Sequence, residues 1–223
     1  MEGIDGSGKR TQLDLLVRAL IERGIPTERI SFPRYEGFFG SLVARYLNGE
    51  FGALEAVDPH LSALLYAGDR FEAKGGIEAT LASGKTVVAD RYIASNLAHQ
   101  TARAPREQRD DFLAWLKKLE YEIYGLPAED VVIYLRVPAT AAHQQIAAKG
   151  ARDYTKLPRD IHEANVSHLA DASDVYDSLA HASAWVTIEC FSRDANKMRA
   201  PEDIHREVLA AIEERILAAR SAS

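Results

Sequence analysis

Four short apolar runs punctuate the chain: Ile30-Ser31-Phe32, Thr86 to Ala89, Val131 to Val137, and Trp185 to Ile188. Each has the length of a buried strand, and longer stretches with apolar residues at three- and four-residue spacing separate them. The first such stretch carries Leu13, Leu16, Val17, Leu20 and Ile21, with Gly24 where a helix would stop. A second opens at Pro59 and carries Leu61, Leu64, Leu65 and Phe71. A third follows Pro105 with Phe112, Trp115, Leu116, Leu119 and Ile123. The last opens at Pro201, has Glu202 and Asp203 in its first turn, and repeats Ile204, Val208, Ile212 and Ile216 every four positions. Strands alternating with helices predict an α/β fold, a parallel sheet flanked by helices. Ligands of such sheets bind at the carboxyl ends of the strands.

With 223 residues and no linker-like stretch, the chain reads as one domain over residues 1–223. Its formal net charge of −6 argues against a broad surface for nucleic acid or an anionic membrane, so basic residues are expected to act locally. Cys190, the single cysteine, cannot form an internal disulfide. No apolar run approaches the roughly 20 residues needed to span a bilayer. With no secretory leader visible, the cytoplasm is the default location.

Against this ordinary background, Gly3-Ile4-Asp5-Gly6-Ser7-Gly8-Lys9 stands out, with Gly3 and Gly8 five positions apart and a lysine directly after the second. Small residues at this spacing let successive backbone N–H groups turn onto one anion, and Lys9 supplies a point charge to the terminal phosphates. The loop opens a helix, so the helix dipole also points at the phosphates. Arg10 stands where a hydroxyl normally reaches magnesium, and Thr11 follows it. A phosphate loop normally follows a strand of about five or six residues, yet only Met1 and Glu2 precede Gly3. The first strand is therefore expected to be truncated: either the chain begins downstream of its natural start, or the loop is held without that strand. The shortened chain is the favoured reading.

Crowded phosphates at such a loop must be neutralised and oriented by positive groups. Lys9 and Arg91 are the candidates, Arg91 because it follows an apolar run ending at Asp90 and should emerge at a strand end beside the loop. The alternative for Arg91 is a structural pair with Asp90 or Asp69. A basic stretch at about residues 149–160, with Lys149, Arg152, Lys156 and Arg159, has the composition of a mobile lid or of a solvated charged loop.

The segment Glu2 to Gln12, then Phe32-Pro33-Arg34-Tyr35, Asp69-Arg70, and Asp90-Arg91-Tyr92 with Ser95 and Asn96, resembles the thymidylate kinases in order and spacing. The resemblance continues through Gly125-Leu126-Pro127, the basic segment near Arg152, and Met198-Arg199. It implies a P-loop kinase fold with a basic lid and phosphorylation of dTMP to dTDP by ATP with Mg2+. It places Gly3, Asp5, Gly6, Ser7, Gly8, Lys9, Arg10 and Thr11 at ATP. At dTMP it places Phe32, Pro33, Arg34, Arg70, Arg91, Ser95, Asn96 and His99. Phe32 would stack on the base, Arg34 and Arg70 would contact the phosphate or base edge, and Ser95 and Asn96 would either read the base or cap the helix after Asp90. His99 stands near the sugar, where relatives carry an aromatic or similar residue.

Gly6 leaves the loop without an arginine, so the resemblance implies that the lid supplies one, Arg152 first and Arg159 second. Asp5 would bind magnesium through water or orient the attacking phosphate. Asp160 and Glu163 would help to organise the metal or form a helix capping box. A homodimer is implied, with the helices after Pro59 and Pro105 as its interface. Two other readings stand beside this one: another deoxynucleotide or nucleoside monophosphate kinase, and a nucleotide-binding protein without turnover.

Overall fold

The computed structural model describes residues 1–148 and 166–221. The expected lid at 149–160, with Lys149, Arg152, Lys156 and Arg159, lies outside the described residues, as do Asp160 and Glu163. The phosphate loop opens α1 (Lys9–Glu22), which stops at Gly24 in a left-handed conformation, φ +71°. Then follow β1 (Thr27–Ser31), α2 (Phe38–Leu47), α3 (Pro59–Ala82), β2 (Thr86–Asp90), α4 (Ile93–Thr101) and α5 (Arg109–Lys117). The second half comprises β3 (Val132–Arg136), α6 (Ala139–Ala148), α7 (Val166–Leu179), β4 (Trp185–Glu189), the hairpin β5 (Phe191–Ser192) with β6 (Lys197–Met198), and α8 (Pro201–Ser221).

All four expected strands form, and they pair in parallel as β1 with β2 and β3 with β4. What joins the two pairs is the backbone of Met1 and Glu2. The Met1 amine donates to the Ala89 carbonyl at 2.8 Å, and the Arg91 N–H donates to the Met1 carbonyl at 3.1 Å. On the other side Glu2 N–H donates to Ile133 O at 2.8 Å, and Leu135 N–H donates to Glu2 O at 2.9 Å. Glu2 thus makes one parallel bridge, to Tyr134, where a full strand would make several.

Before that bridge the two pairs stay apart and enclose a cavity of about 350 Å³ lined by Leu16, Ile77, Val88, Pro127, Ile133 and Ile212, among others. In a parallel ladder alternate residues turn both backbone groups to the same side. Thr86, Val88 and Asp90 face β1, as Thr86 N–H on Pro26 O and Phe32 N–H on Asp90 O show, so Val87 and Ala89 face the cavity. Ile133 faces it from β3 by the same rule, since Val132 N–H donates to Ala184 O on the β4 side.

Helices cover the sheet as their spacing predicts: Leu13, Leu16 and Leu20 of α1 and Ile204, Val208 and Ile212 of α8 are buried. Four residues expected on buried faces are instead exposed, namely Ile21 (57%), Leu61 (61%), Phe71 (49%) and Ile123 (64%). Helical spacing places residues on a common face, but neighbouring elements decide which part of it is covered. The β5–β6 hairpin gives no sequence signal because two-residue strands are too short for alternation to register. Residues Lys118–Ile123 wind as a π-helix directly after α5, a local underwinding that helical periodicity does not reveal.

Candidate active site

The phosphate loop folds as glycine spacing requires. Gly6 has φ +83°, and a Cβ built there would lie 2.3 Å from the Ala142 carbonyl oxygen of α6, so the helix closes this side of the loop to any side chain. Gly8 caps α1 in a left-handed conformation without a side-chain cap, and no acidic residue occupies the first turn. The helix N-terminus is thereby left to an anion. Ser7 Oγ is buried and has no hydrogen-bond partner among the described residues. Lys9 is buried, its Nζ donating to the Gly3 and Ile4 carbonyls at 2.9 and 3.0 Å. Burial, with the Arg91 charge beside it, pulls its pKa down to about 8, against the opposing pull of Asp5. Arg10 and Thr11 are exposed in the first turn of α1.

Arg91 follows β2 with a left-handed backbone, φ +64°. Its Nη2 donates to Asp5 Oδ1 at 2.7 Å, and its Nη1 donates to Ser95 Oγ at 3.0 Å. The structural pairings weighed for it are taken by others: Asp69 binds Arg34, and Asp90 lies 3.8 Å from Arg29. Burial opposes the Arg91 charge, but Asp5 together with Tyr176, Glu2 and Asp90 outweighs it and raises its pKa well above the usual value.

Beside Arg91 opens a pocket lined by Asp5, Phe32, Pro33, Tyr35, Leu47, Tyr66, Arg70, Arg91, Ser95, Asn96, His99 and Gln100. It is smaller than the cavity under the sheet, about 80 Å³, yet the chemically active side chains converge on it. Seven of the eight residues that the sequence assigns to an acceptor nucleotide line it. The eighth, Arg34, is turned to Asp69: its N–H donates to Oδ2 at 2.8 Å and its Nε to Oδ1 at 3.1 Å. Phe32 and Tyr92 rings meet with centroids 5.8 Å apart. Neither Ser95 nor Asn96 caps α4, whose N-cap is Tyr92.

The pocket floor is polar and buried. Arg70 Nε donates to Glu120 Oε2 at 2.7 Å and its Nη2 to Oε1, with both residues at 2% exposure or less. Burial opposes the Arg70 charge, and Glu120 overrides it to raise the pKa. Asn96 Nδ2 donates to Glu120 Oε1 at 2.7 Å and to Ala63 O at 3.1 Å, while Asn96 Oδ1 is buried with no partner among the described residues. An amide held by its nitrogen with its oxygen unpaired presents an acceptor.

His99 Nε2 lies 3.3 Å from Arg91 Nη1, and its Nδ1 lies 3.4 Å from His168 Nε2 on α7. A guanidinium only donates, so His99 Nε2 accepts and its proton sits on Nδ1, facing His168. Burial, then the Arg91 charge, hold His99 well below its usual pKa. Burial, then Arg103, bring His168 down to about 4.

Sequence reading missed Glu2, Glu120, His168 and Tyr176 in this assembly. Glu120 alone left a trace, as a carboxylate four residues after Leu116 on an otherwise apolar face. Among the described residues no group of three metal-binding side chains converges, and no helix is long and apolar enough to cross a membrane.

A glycine loop opening a helix beside a parallel sheet, with a lysine and an arginine at its mouth, defines a P-loop nucleotide-binding protein. The thymidylate kinase family profile matches residues 1–197, and the chain belongs to that family. A thymidylate kinase of Mycobacterium tuberculosis is 33% identical over 186 residues, covering 83% of this chain and 86% of the relative. One from Plasmodium falciparum is 28% identical, covering 93% of this chain and 85% of the relative. The solved structure of a thymidylate kinase from Candida albicans superposes with a TM-score of 0.73 at 20% identity, covering 96% of this chain and 89% of that one.

Truncating Glu120 to Ala strands the buried Arg70 charge and should cost about 3–5 kcal/mol in denaturant titration. The double change Arg70→Met with Glu120→Leu should recover most of that loss. His168 generates a pH effect: its folded pKa of about 4 lies below the usual 6.5, so the unfolded chain takes up a proton first as pH falls. Stability should therefore be unaffected above neutrality and fall between about pH 6.5 and 4, by an amount on the order of 2–3 kcal/mol from this residue. Urea midpoints measured across that range should fall less steeply for His168→Gln.

Proposed function

We propose that this chain transfers the γ-phosphoryl group of ATP to dTMP, giving dTDP and ADP. The observation that carries the reading is the joining of the phosphate loop to the aromatic pocket through the Arg91–Asp5 pair. ATP phosphates fit the loop, where the α1 N-terminus and Lys9 meet them. Lys9 is best protonated when a phosphate lies beside it, because added negative charge returns its depressed pKa toward the usual value. The acceptor phosphate would lie against Arg91, whose flat guanidinium donates to two oxygens at once. Phe32 offers a ring to the face of the base. Asn96 Oδ1 offers its acceptor to a donor on the base edge, as N3–H of thymine supplies. Arg70 holds Glu120 and Asn96 in register beneath it.

Magnesium supplies charge neutralisation across the donor phosphates. Asp5 fits that ion, since magnesium commonly takes one or two carboxylates and fills its other positions with water and phosphate. Glu163 is the further carboxylate assigned to it by resemblance. The same reading gives Arg152 the cationic role that no side chain at position 6 can take, because Ala142 fills the space there. The exposed Leu61, Phe71 and Ile123 favour a homodimer built on α3 and the π-helical turn. The cytoplasm is the assigned location.

A coupled assay of magnesium-dependent ADP formation with dTMP, dUMP, dGMP and AMP tests the reading. Turnover with dTMP well above the others is the expected result. A preference for another acceptor would assign a different monophosphate kinase, and ATP binding without turnover on any acceptor would assign a binding role.

A further inference from the structure

Glu2 is 2% exposed and lies outside the pocket lining, yet its carboxylate accepts three hydrogen bonds. Tyr92 N–H reaches Oε1 at 2.6 Å, Ser95 Oγ reaches Oε2 at 2.6 Å, and Tyr176 Oη reaches Oε2 at 2.9 Å. The donor directions follow from chemistry. Arg91 Nη1 can only donate, so Ser95 Oγ accepts from it and sends its own single proton to Glu2. A path of oriented bonds therefore runs from the guanidinium through the Ser95 hydroxyl to Glu2 Oε2, which Tyr176 also holds, its Oη 3.1 Å from Ser95 Oγ.

We infer that Glu2, braced by Tyr176, is a positioning residue that fixes the Arg91 guanidinium through Ser95. The need for such a support is visible in the backbone, because Arg91 adopts a left-handed conformation that a long side chain reaches only when its surroundings hold it. Glu2 grips both sides of that residue. Its own neighbour Met1 accepts the Arg91 N–H through its carbonyl, and its carboxylate takes the N–H of Tyr92. Tyr176 is itself fixed: its ring stacks on Tyr134, with centroids 5.1 Å apart and planes 17° from parallel. Burial, then the Glu2 charge, raise the Tyr176 pKa well above the usual value, so the phenol stays a donor.

This inference rests on the proposed phosphate role of Arg91, and the experiment separates the two. Three variants are compared with the parent: Glu2→Gln, Tyr176→Phe and Arg91→Ala. Gln cannot accept from the Tyr92 amide and from both hydroxyls together, and Phe keeps the stack on Tyr134 while losing one donor. Misplacing a group at the reacting centre costs rate steeply, so kcat should fall about tenfold in Glu2→Gln and about threefold in Tyr176→Phe, with KM for ATP unchanged. The direct readout is the NMR signal of the Arg91 guanidinium. Its Nη protons should be separately resolved in the parent and averaged in Glu2→Gln.

Resolved Arg91 signals and an unchanged kcat in both Glu2→Gln and Tyr176→Phe would overturn the inference. So would a kcat loss matched by an equal loss of folded protein in thermal melts while the Arg91 signals stay resolved. Undiminished turnover in Arg91→Ala would instead overturn the phosphate role of Arg91, and the guanidinium signals would still decide whether Glu2 positions it.

Discussion

The two halves of this molecule meet at Glu2. Its main chain is hydrogen-bonded to β3 on one side, that of its neighbour Met1 is bonded to β2 on the other, and its side chain ties the start of α4 to α7. A single residue performing both tasks constrains the site more tightly than packing alone, because the backbone that joins the strand pairs is the same backbone that enters the phosphate loop. The loop, the Arg91 turn and the α4 N-terminus are consequently held at fixed separations.

The second constraint is electrostatic. An acidic chain sets Arg70 and Arg91 in one small pocket and buries Lys9 in the loop beside it, and each would be costly to bury alone. The pKa of Arg70 beside Glu120 and that of Arg91 beside Asp5 are raised, whereas burial and the Arg91 charge leave that of Lys9 lowered. Buried pairs of this kind fix geometry more than they stabilise the fold.

His99 and His168 extend the same logic to neutral groups. Burial with the Arg91 charge keeps His99 neutral, burial with Arg103 keeps His168 neutral, and the direction in which Arg91 donates sets the His99 tautomer. The pocket wall at His99 is thus made from a ring whose Nδ1 faces His168 of α7.

Much of the architecture is legible in the residues themselves. The apolar runs mark four strands, the three- and four-residue spacing marks the covering helices, and the glycine pattern marks the phosphate loop, because each of these is a local property of backbone and side-chain periodicity. The pocket residues Phe32, Arg70, Arg91, Asn96 and His99 were likewise recognisable by motif. What the tertiary structure decided is how they are held. Glu2 lies about ninety residues from its partners on α4 and further still from Tyr176, Glu120 is brought to Arg70 by a π-helical turn, and His168 reaches His99 from a separate helix. No local pattern encodes a hydrogen bond between residues so far apart in the chain. Periodicity fixes which face a side chain occupies, and only the packing of one element on another determines which buried polar group it meets there.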